Sequence, residues 1–398
     1  MPLFGSGSVM KLRGRRGIRK LASQLDAEDP RTRQEAAALL GASGDSAAVP
    51  ALLTAADDGD PELRRSVITA LGAFGDEPAV TALIGAVGDG DPRVRQAAVT
   101  ALGSRGAESA LGSRGAESAR GGAGAALRDA LLTDPVPAVR HAAADALDAV
   151  GWDPDTAHDG AVAAAYWATR RDWARCVEFG DAAIGPLAAE ASDPDAGVRR
   201  AAVDALGALG GAAVTELRGA LADGSRQVRR AAVLALATIG DAVAIESLAA
   251  LVSDVDTDVR VAVVAALAAA GEPAAAPALC TVLADAEPAL RQAAVAALTT
   301  IGEPAVEPLA ATLGDTDPRV RLAAVEVLAA LPGPGAAQLL CVTLADTDPA
   351  VASAAMAGLA AMGEGAEVPL RTALRDPQEH VRQAAAKLLD ALGSVDPR

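Results

Sequence analysis

The 398-residue sequence predicts an all-α fold, an α-α superhelix or α-solenoid of about 11 helical hairpins of about 31 residues each. Two observations predict it. Hydrophobic residues make up 51% of the chain and aromatic ones only 2%, so Ala, Leu and Val must fill the core. Small side chains suit closely stacked helices, and Ala and Leu lead the helix-propensity scale; β-branched and aromatic residues are too sparse for a large sheet. The second observation is internal repetition. DGDPELRRSVITALGAFG (58–75), DGDPRVRQAAVTALGSRG (89–106), DAEPALRQAAVAALTTIG (285–302) and DTDPRVRLAAVEVLAALP (315–332) share the pattern D-x-D-P-x-V-R-x-A-A-V-x-A-L-x-x-I-G.

Each unit explains itself in order. In the copy at 315–332, Asp317 is placed to cap the helix amides and Pro318 sits at the first helical position, where a missing N–H costs nothing. Val320, Ala324, Leu328 and Leu331 then recur at helical spacing as one apolar face. A glycine ends most copies, as a left-handed C-cap requires. A shorter lead helix precedes each such helix, for example EPAVEPLAATLGD (303–315) with Pro308 in its first turn; Pro50, Pro186 and Pro277 take the equivalent place. A hairpin of this size cannot bury its own apolar face and must stack on its neighbours.

The motif's arginine recurs at Arg33, Arg64, Arg95, Arg140, Arg199, Arg229, Arg260, Arg291, Arg321 and Arg382, with Ala352 in the same column of one copy. Steps are 30 or 31 residues except two, of 45 and 59. These divide the chain into N-terminal repeats at 1–151, an aromatic-rich diverged repeat at 152–180, and C-terminal repeats at 181–398. The 45-residue step holds a nine-residue tandem copy, ALGSRGAES at 101–109 and again at 110–118, followed by ARGGAGA, and reads as a duplicated Gly-rich loop over 101–124. The 59-residue step holds all three tryptophans and the only tyrosine. There, Asp159 or Gly160 starts a helix through Arg170, and Asp172 caps a second one over Trp173–Phe179.

The D-x-D-P-x-V-R-x-A-A motif, the short unit and the E-P-A-V-x-P-L lead helix resemble HEAT repeats of the phycobilisome-lyase-like subclass over nearly the whole chain, which makes the expected fold a HEAT-type α-solenoid. The resemblance implies a ladder in which an Asp before the second helix and an Arg within it pair between neighbouring units, in places matched here by Asp317 and Arg321. It also implies that a segment with W-x-P, Y-W and D-W elements, here Trp152, Tyr166, Trp167 and Trp173, is a structural joint; the alternative is an aromatic pocket. Repeats of this kind serve as scaffolds in unrelated systems, so fold says little about function.

The sequence carries no P-loop, H-E-x-x-H, G-x-S-x-G or G-x-G-x-x-G motif. Related hydroxylases that build a di-iron site use His-Glu pairs, but His141, His158 and His380 are followed by Ala, Asp and Val. No catalytic, cofactor or metal residue is therefore expected. DVDTDV (254–259) imitates a calcium loop but lacks its glycine and its glutamate, and reads as a capping turn. Asp153, Asp155, His158 and Asp159 read as a solvated loop. Cys176, Cys280 and Cys341 form no C-x-x-C pair and read as buried core thiols.

The net charge of −17 disfavours nucleic acid. The Asp-rich, Lys-poor bias fits either a salt-rich cytoplasm or a GC-rich genome. Basic KLRGRRGIRK (11–20) leads into SQLDAEDP and not into an apolar stretch, so no signal peptide is read, and the expected chain is cytoplasmic and monomeric, without a membrane span. The position after the arginine column should face a concave groove. It is free of acids and supplies Arg200, Arg230, Val261, Gln292 and Leu322, with Leu234 one turn on. The expectation is a non-enzymatic scaffold whose groove, mildly basic at Arg200 and Arg230 and apolar from Leu234 to Leu322, takes a segment of a partner protein. The alternatives are a phycobilin-lyase-like protein handling a chromophore at the aromatic stretch, and a HEAT-like nucleic-acid binder.

Overall fold

The computed structural model describes residues 15–104 and 117–393, which form helices and turns with no strand among them. Two compact units emerge, Met1–Pro194 and Asp195–Arg398. The aromatic stretch thus belongs to the first.

In the first unit the second helices of the hairpins are Pro30–Ser43, Pro61–Leu71, Pro92–Leu102 and Pro137–Ala149. In the second they are Ala196–Ala208, Arg226–Ile239, Thr257–Ala270, Pro288–Ile301, Pro318–Ala330, Pro349–Met362 and Glu379–Ala391. Most lead helices are short; that before Pro318 is a 3-10 turn, Glu303–Ala305, followed by an α-helix, Val306–Thr312. Val320, Ala324, Leu328 and Leu331 are all buried, as their helical spacing requires.

The two aspartates of most D-x-D-P turns have separate tasks. The second caps its own helix: Asp60 accepts from Glu62 N–H at 3.0 Å, and Asp91 and Asp317 accept from Arg93 and Arg319 N–H at 2.8 Å. The first aspartate holds the turn and the preceding unit together. Asp89 accepts from Asp91 N–H at 2.8 Å and also receives the Nε and Nη2 of Arg64 at 2.8 and 2.9 Å, a bidentate pair. Arg64 Nη1 donates to its own turn at the Asp58 carbonyl, 2.8 Å away. One guanidinium therefore clips its own loop and the next.

The same arrangement recurs at Arg95–Asp134, Arg199–Asp223, Arg229–Asp254, Arg260–Asp285 and Arg321–Asp346. The ladder exists, but its partner is not the one expected: Asp317 is occupied by its own helix, and Arg321 reaches Asp346 at 2.7 Å. The reason is geometric. At these rungs the second carboxylate turns inward to the helix amides and the first faces back toward the neighbouring unit; Arg33 is an exception, its Nη2 meeting the second aspartate, Asp60, at 3.0 Å.

Glycine also has two tasks. Gly44, Gly240 and Gly271 end helices in the left-handed conformation, with φ of 62°, 67° and 62°. Gly103 does not; its φ is −76°, and a Cβ there would meet the Ala146 Cα at 2.6 Å. A glycine here lets neighbouring second helices touch backbone to backbone, which accounts for a core almost without rings.

The tandem nonapeptide at 101–118 lies largely outside the described residues. The glycine-rich part after it is a correction: Glu117–Thr133 is one helix, so 117–124 is not loop. Its small residues fit a helix that must pack closely. Of the basic stretch, Arg15, Arg16, Arg19 and Lys20 are exposed on the helix Arg15–Gln24, which buries Ile18 and Leu21. Among the described residues no helix is long and apolar enough to cross a membrane.

Candidate functional site

On the second helices of the second unit, Arg200, Arg230 and Leu234 come together at the mouth of a cavity of about 360 Å³. Arg226, Asp204, Asp256 and Asp258 line it too, so three arginines face three aspartates. The groove expected to be mildly basic is thus balanced in charge. Arg226 pairs with Asp256 at 3.1 Å, and Arg200 stands 3.9 Å from Asp204. Burial raises the Asp204 carboxyl above its ordinary value, and Arg200 opposes this. A single column could not reveal these acids: Asp204 lies one turn further along its helix, and Asp256 and Asp258 come from the next unit's capping turn.

Beyond this cavity the same column continues with Val261, Gln292 and Leu322, each exposed. Leu234 is 50% exposed, Val261 47% and Leu322 37%. Single exposed aliphatic side chains are ordinary; what marks this face is their recurrence at nearby positions of second helices within one compact unit. The structure brings Arg200, Arg230 and Leu234 to one cavity; Val261, Gln292 and Leu322 share their helical position, not that cavity.

The aromatic residues join the core of the first unit. Asp159 caps the helix Gly160–Thr169 through the Ala161 and Val162 amides, and Asp172 caps a short helix, Trp173–Val177, through Arg175 N–H. Tyr166 is buried, with its ring edge-to-face with Trp152 at 5.6 Å and with Trp167 at 5.0 Å. Its hydroxyl donates to Asp148 at 2.8 Å. Arginines cover the ring faces: Arg170 lies 5.3 Å from the Tyr166 centroid and Arg175 4.1 Å from that of Trp167. Trp152 and Trp167 pack partly buried against the core, and Trp173 is half-buried apart from these ring pairs.

Beside them lies a more deeply buried ionic contact. Arg140 and Glu190 are 3% and 2% exposed, and Arg140 Nη2 meets Glu190 Oε1 at 2.7 Å. The regular ladder would continue to an aspartate at the next turn; with the helix Gly160–Thr169 intervening, a longer acid from the end of Ile184–Glu190 takes that place.

The acidic runs are occupied. Asp254 receives Arg229, and Asp256 caps Thr257–Ala270. Asp153 caps the turn Pro154–Thr156, and Asp155 pairs with Arg175 at 3.4 Å. The three cysteines are free and buried. Desolvation pushes the Cys176 thiol up to about 12, and those of Cys280 and Cys341 to about 11.

Comparison with known proteins agrees with this architecture. The family model of HEAT repeats matches residues 18–103, 77–148, 214–287 and 276–360, and that of the PBS lyase HEAT-like repeat matches 198–223. No curated protein matches the chain. Similar solved structures include an engineered protein (21% identity, 95% of this chain and 99% of that one, TM-score 0.25). Human deoxyhypusine hydroxylase in complex with glycerol is 22% identical over 74% of this chain and 98% of that one, TM-score 0.28. Kap95p, from a complex with RanGDP, is 15% identical over 95% of this chain and 56% of that one, TM-score 0.33. Matched by that family model over well more than half its length, and built of stacked D-x-D-P hairpins in both units, the chain belongs to the HEAT-repeat family.

Proposed function

We propose that this protein is a non-enzymatic scaffold that holds a segment of a partner protein along the exposed face of the second helices in its second unit. The observation that carries the reading is that Val261 and Leu322 in the column after the arginines, and Leu234 one turn on, are exposed on the second helices of one compact unit. Each second helix contributes one such position, so the surface suits an amphipathic helix or an extended segment running across successive units. Arg200 and Arg230, partly neutralised by Asp204 and Asp256, fix the register at one end by charge.

The test is co-purification of partners from the native host with the wild-type chain as bait, compared with Arg200→Glu/Arg230→Glu and Leu234→Asp/Val261→Asp. Both variants change exposed side chains and should keep the wild-type thermal midpoint. The reading expects the partners to be lost from the aliphatic variant and reduced in the charge-reversal one. Partners retained by both variants would refute it.

A further inference from the structure

The ladder is broken by the sequence at one place, where Ala352 stands in the arginine column. The register of the repeat sets Ala352 opposite Asp376, 24 residues on, as Arg199 stands to Asp223. The Asp376 carboxylate accepts from Gln378 N–H at 2.8 Å, and among the described residues no guanidinium reaches it. It keeps the turn and lacks the cation that its equivalents Asp89, Asp223, Asp254 and Asp346 receive; among the described residues Asp315 also makes no ion pair, but there an arginine, Arg291, stands in the column, whereas opposite Asp376 there is none.

The same aspartate lines a cleft of about 320 Å³ on the lead-helix side, between Pro334–Thr343 and Glu367–Ala373. The other walls are mainly apolar: Pro334, Cys341, Val342, Val368 and Pro369. Val342 and Val368 are 68% and 74% exposed. Asp376 and two bare valines thus line one cleft between lead helices, distinct from the second-helix column. The cleft is at the small end of the range for ligand sites, about 300–1,000 Å³, and has room for one or two side chains.

We infer that this cleft receives an arginine of a partner protein, flanked by aliphatic residues. Its guanidinium takes the seat that Ala352 leaves open on Asp376, and its neighbours cover Val342 and Val368. Arginine fits better than lysine because the other ladder carboxylates are met by a planar fork through two nitrogens, as Arg321 meets Asp346 through Nε and Nη2, both at 2.7 Å.

The inference is tested on the full chain with a peptide array in which one central arginine is flanked by randomised aliphatic residues, followed by fluorescence anisotropy of the best binders. Binding should weaken at least tenfold when the peptide arginine becomes norleucine, and equally with Asp376→Asn or Ala352→Arg. Arg200→Glu/Arg230→Glu should leave it unchanged, which separates this site from the surface proposed above. Ala352→Arg also guards against misfolding, since an internal arginine in that seat should raise the thermal midpoint while blocking the peptide. The inference fails if no arginine peptide binds, if Ala352→Arg binds as well as wild type, or if that variant melts earlier. Self-association of the wild type that Ala352→Arg abolishes, seen by light scattering, would assign the cleft to a second copy and overturn the partner reading.

Discussion

Truncating Arg140 to alanine should be the most damaging single change in the arginine column. The side chain is 3% exposed and binds Glu190 through Nη2 at 2.7 Å and Nε at 3.2 Å, while Nη1 donates to the Asp134 carbonyl at 3.0 Å. Its loss strands a carboxylate that is itself 2% exposed, and removing one partner of a buried pair costs about 3–5 kcal/mol. Arg64→Ala breaks a pair whose side chains are 18% and 14% exposed, where screening and hydration of the freed acid reduce the loss to about 1–2 kcal/mol. At roughly 2–4 °C per kcal/mol for a body of this size, Arg140→Ala lowers the melting temperature of the first unit by roughly 6–20 °C. The double variant Arg140→Met/Glu190→Leu removes both charges and should recover most of that loss, because apolar replacement of a buried pair is often neutral or better. Differential scanning calorimetry of the three variants decides it. A shift for Arg140→Ala no larger than that for Arg64→Ala, or a double variant as unstable as the single one, would refute the reasoning.

Gly103→Ala should destabilise by about 1–3 kcal/mol, because its Cβ meets the Ala146 backbone at 2.6 Å; Gly85→Ala, with nothing within 4 Å inside a helix, should stabilise by up to about 1 kcal/mol, and chemical denaturation measures both. Cys176, Cys280 and Cys341, buried and with raised thiol pKa, should give no colour with a disulfide reagent at pH 8 until the chain is unfolded in guanidinium; rapid reaction of the folded protein would contradict their burial. The arginine partners hold Asp89, Asp223, Asp254 and Asp346 below the usual carboxylate range, so the stability they add is complete above the unfolded value of about 3.9 and is lost as pH falls through their lower folded values. The thermal midpoint should therefore change little from these groups between pH 7 and 5 and fall below about pH 4, less steeply in Arg64→Ala/Arg229→Ala than in wild type.

The repeat is legible because its residues act locally. Proline at the first helical position, aspartate at the cap and the apolar Val320–Ala324–Leu328 spacing depend on a few neighbours in the chain, so their positions follow from the text of one unit. The ladder was legible only in part. That Arg321 pairs across units follows from its recurrence, but which of two aspartates receives it depends on how the turn orients its carboxylates, and both are aspartate in most copies. The charge of the groove was less legible still. Asp256 and Asp258 enter the cavity around Arg230 from a neighbouring unit, and a column of equivalent positions contains no such cross-unit neighbours.

In an array, function has to be sought where a unit departs from its own consensus, because the consensus serves stacking. Three departures can be weighed in this way. The aromatic stretch is the largest in sequence, yet Tyr166 is buried, its hydroxyl is bonded to Asp148, and arginines lie over the ring faces, so its chemistry is turned inward. Leu234, Val261 and Leu322 are smaller departures that leave a large part of each side chain in solvent. Ala352 is the smallest, one side chain among eleven column positions, and it leaves a neighbour's carboxylate without its cation beside two exposed valines. The rank by sequence contrast is the reverse of the rank by unsatisfied surface, and it is unsatisfied surface that a partner can stabilise by binding.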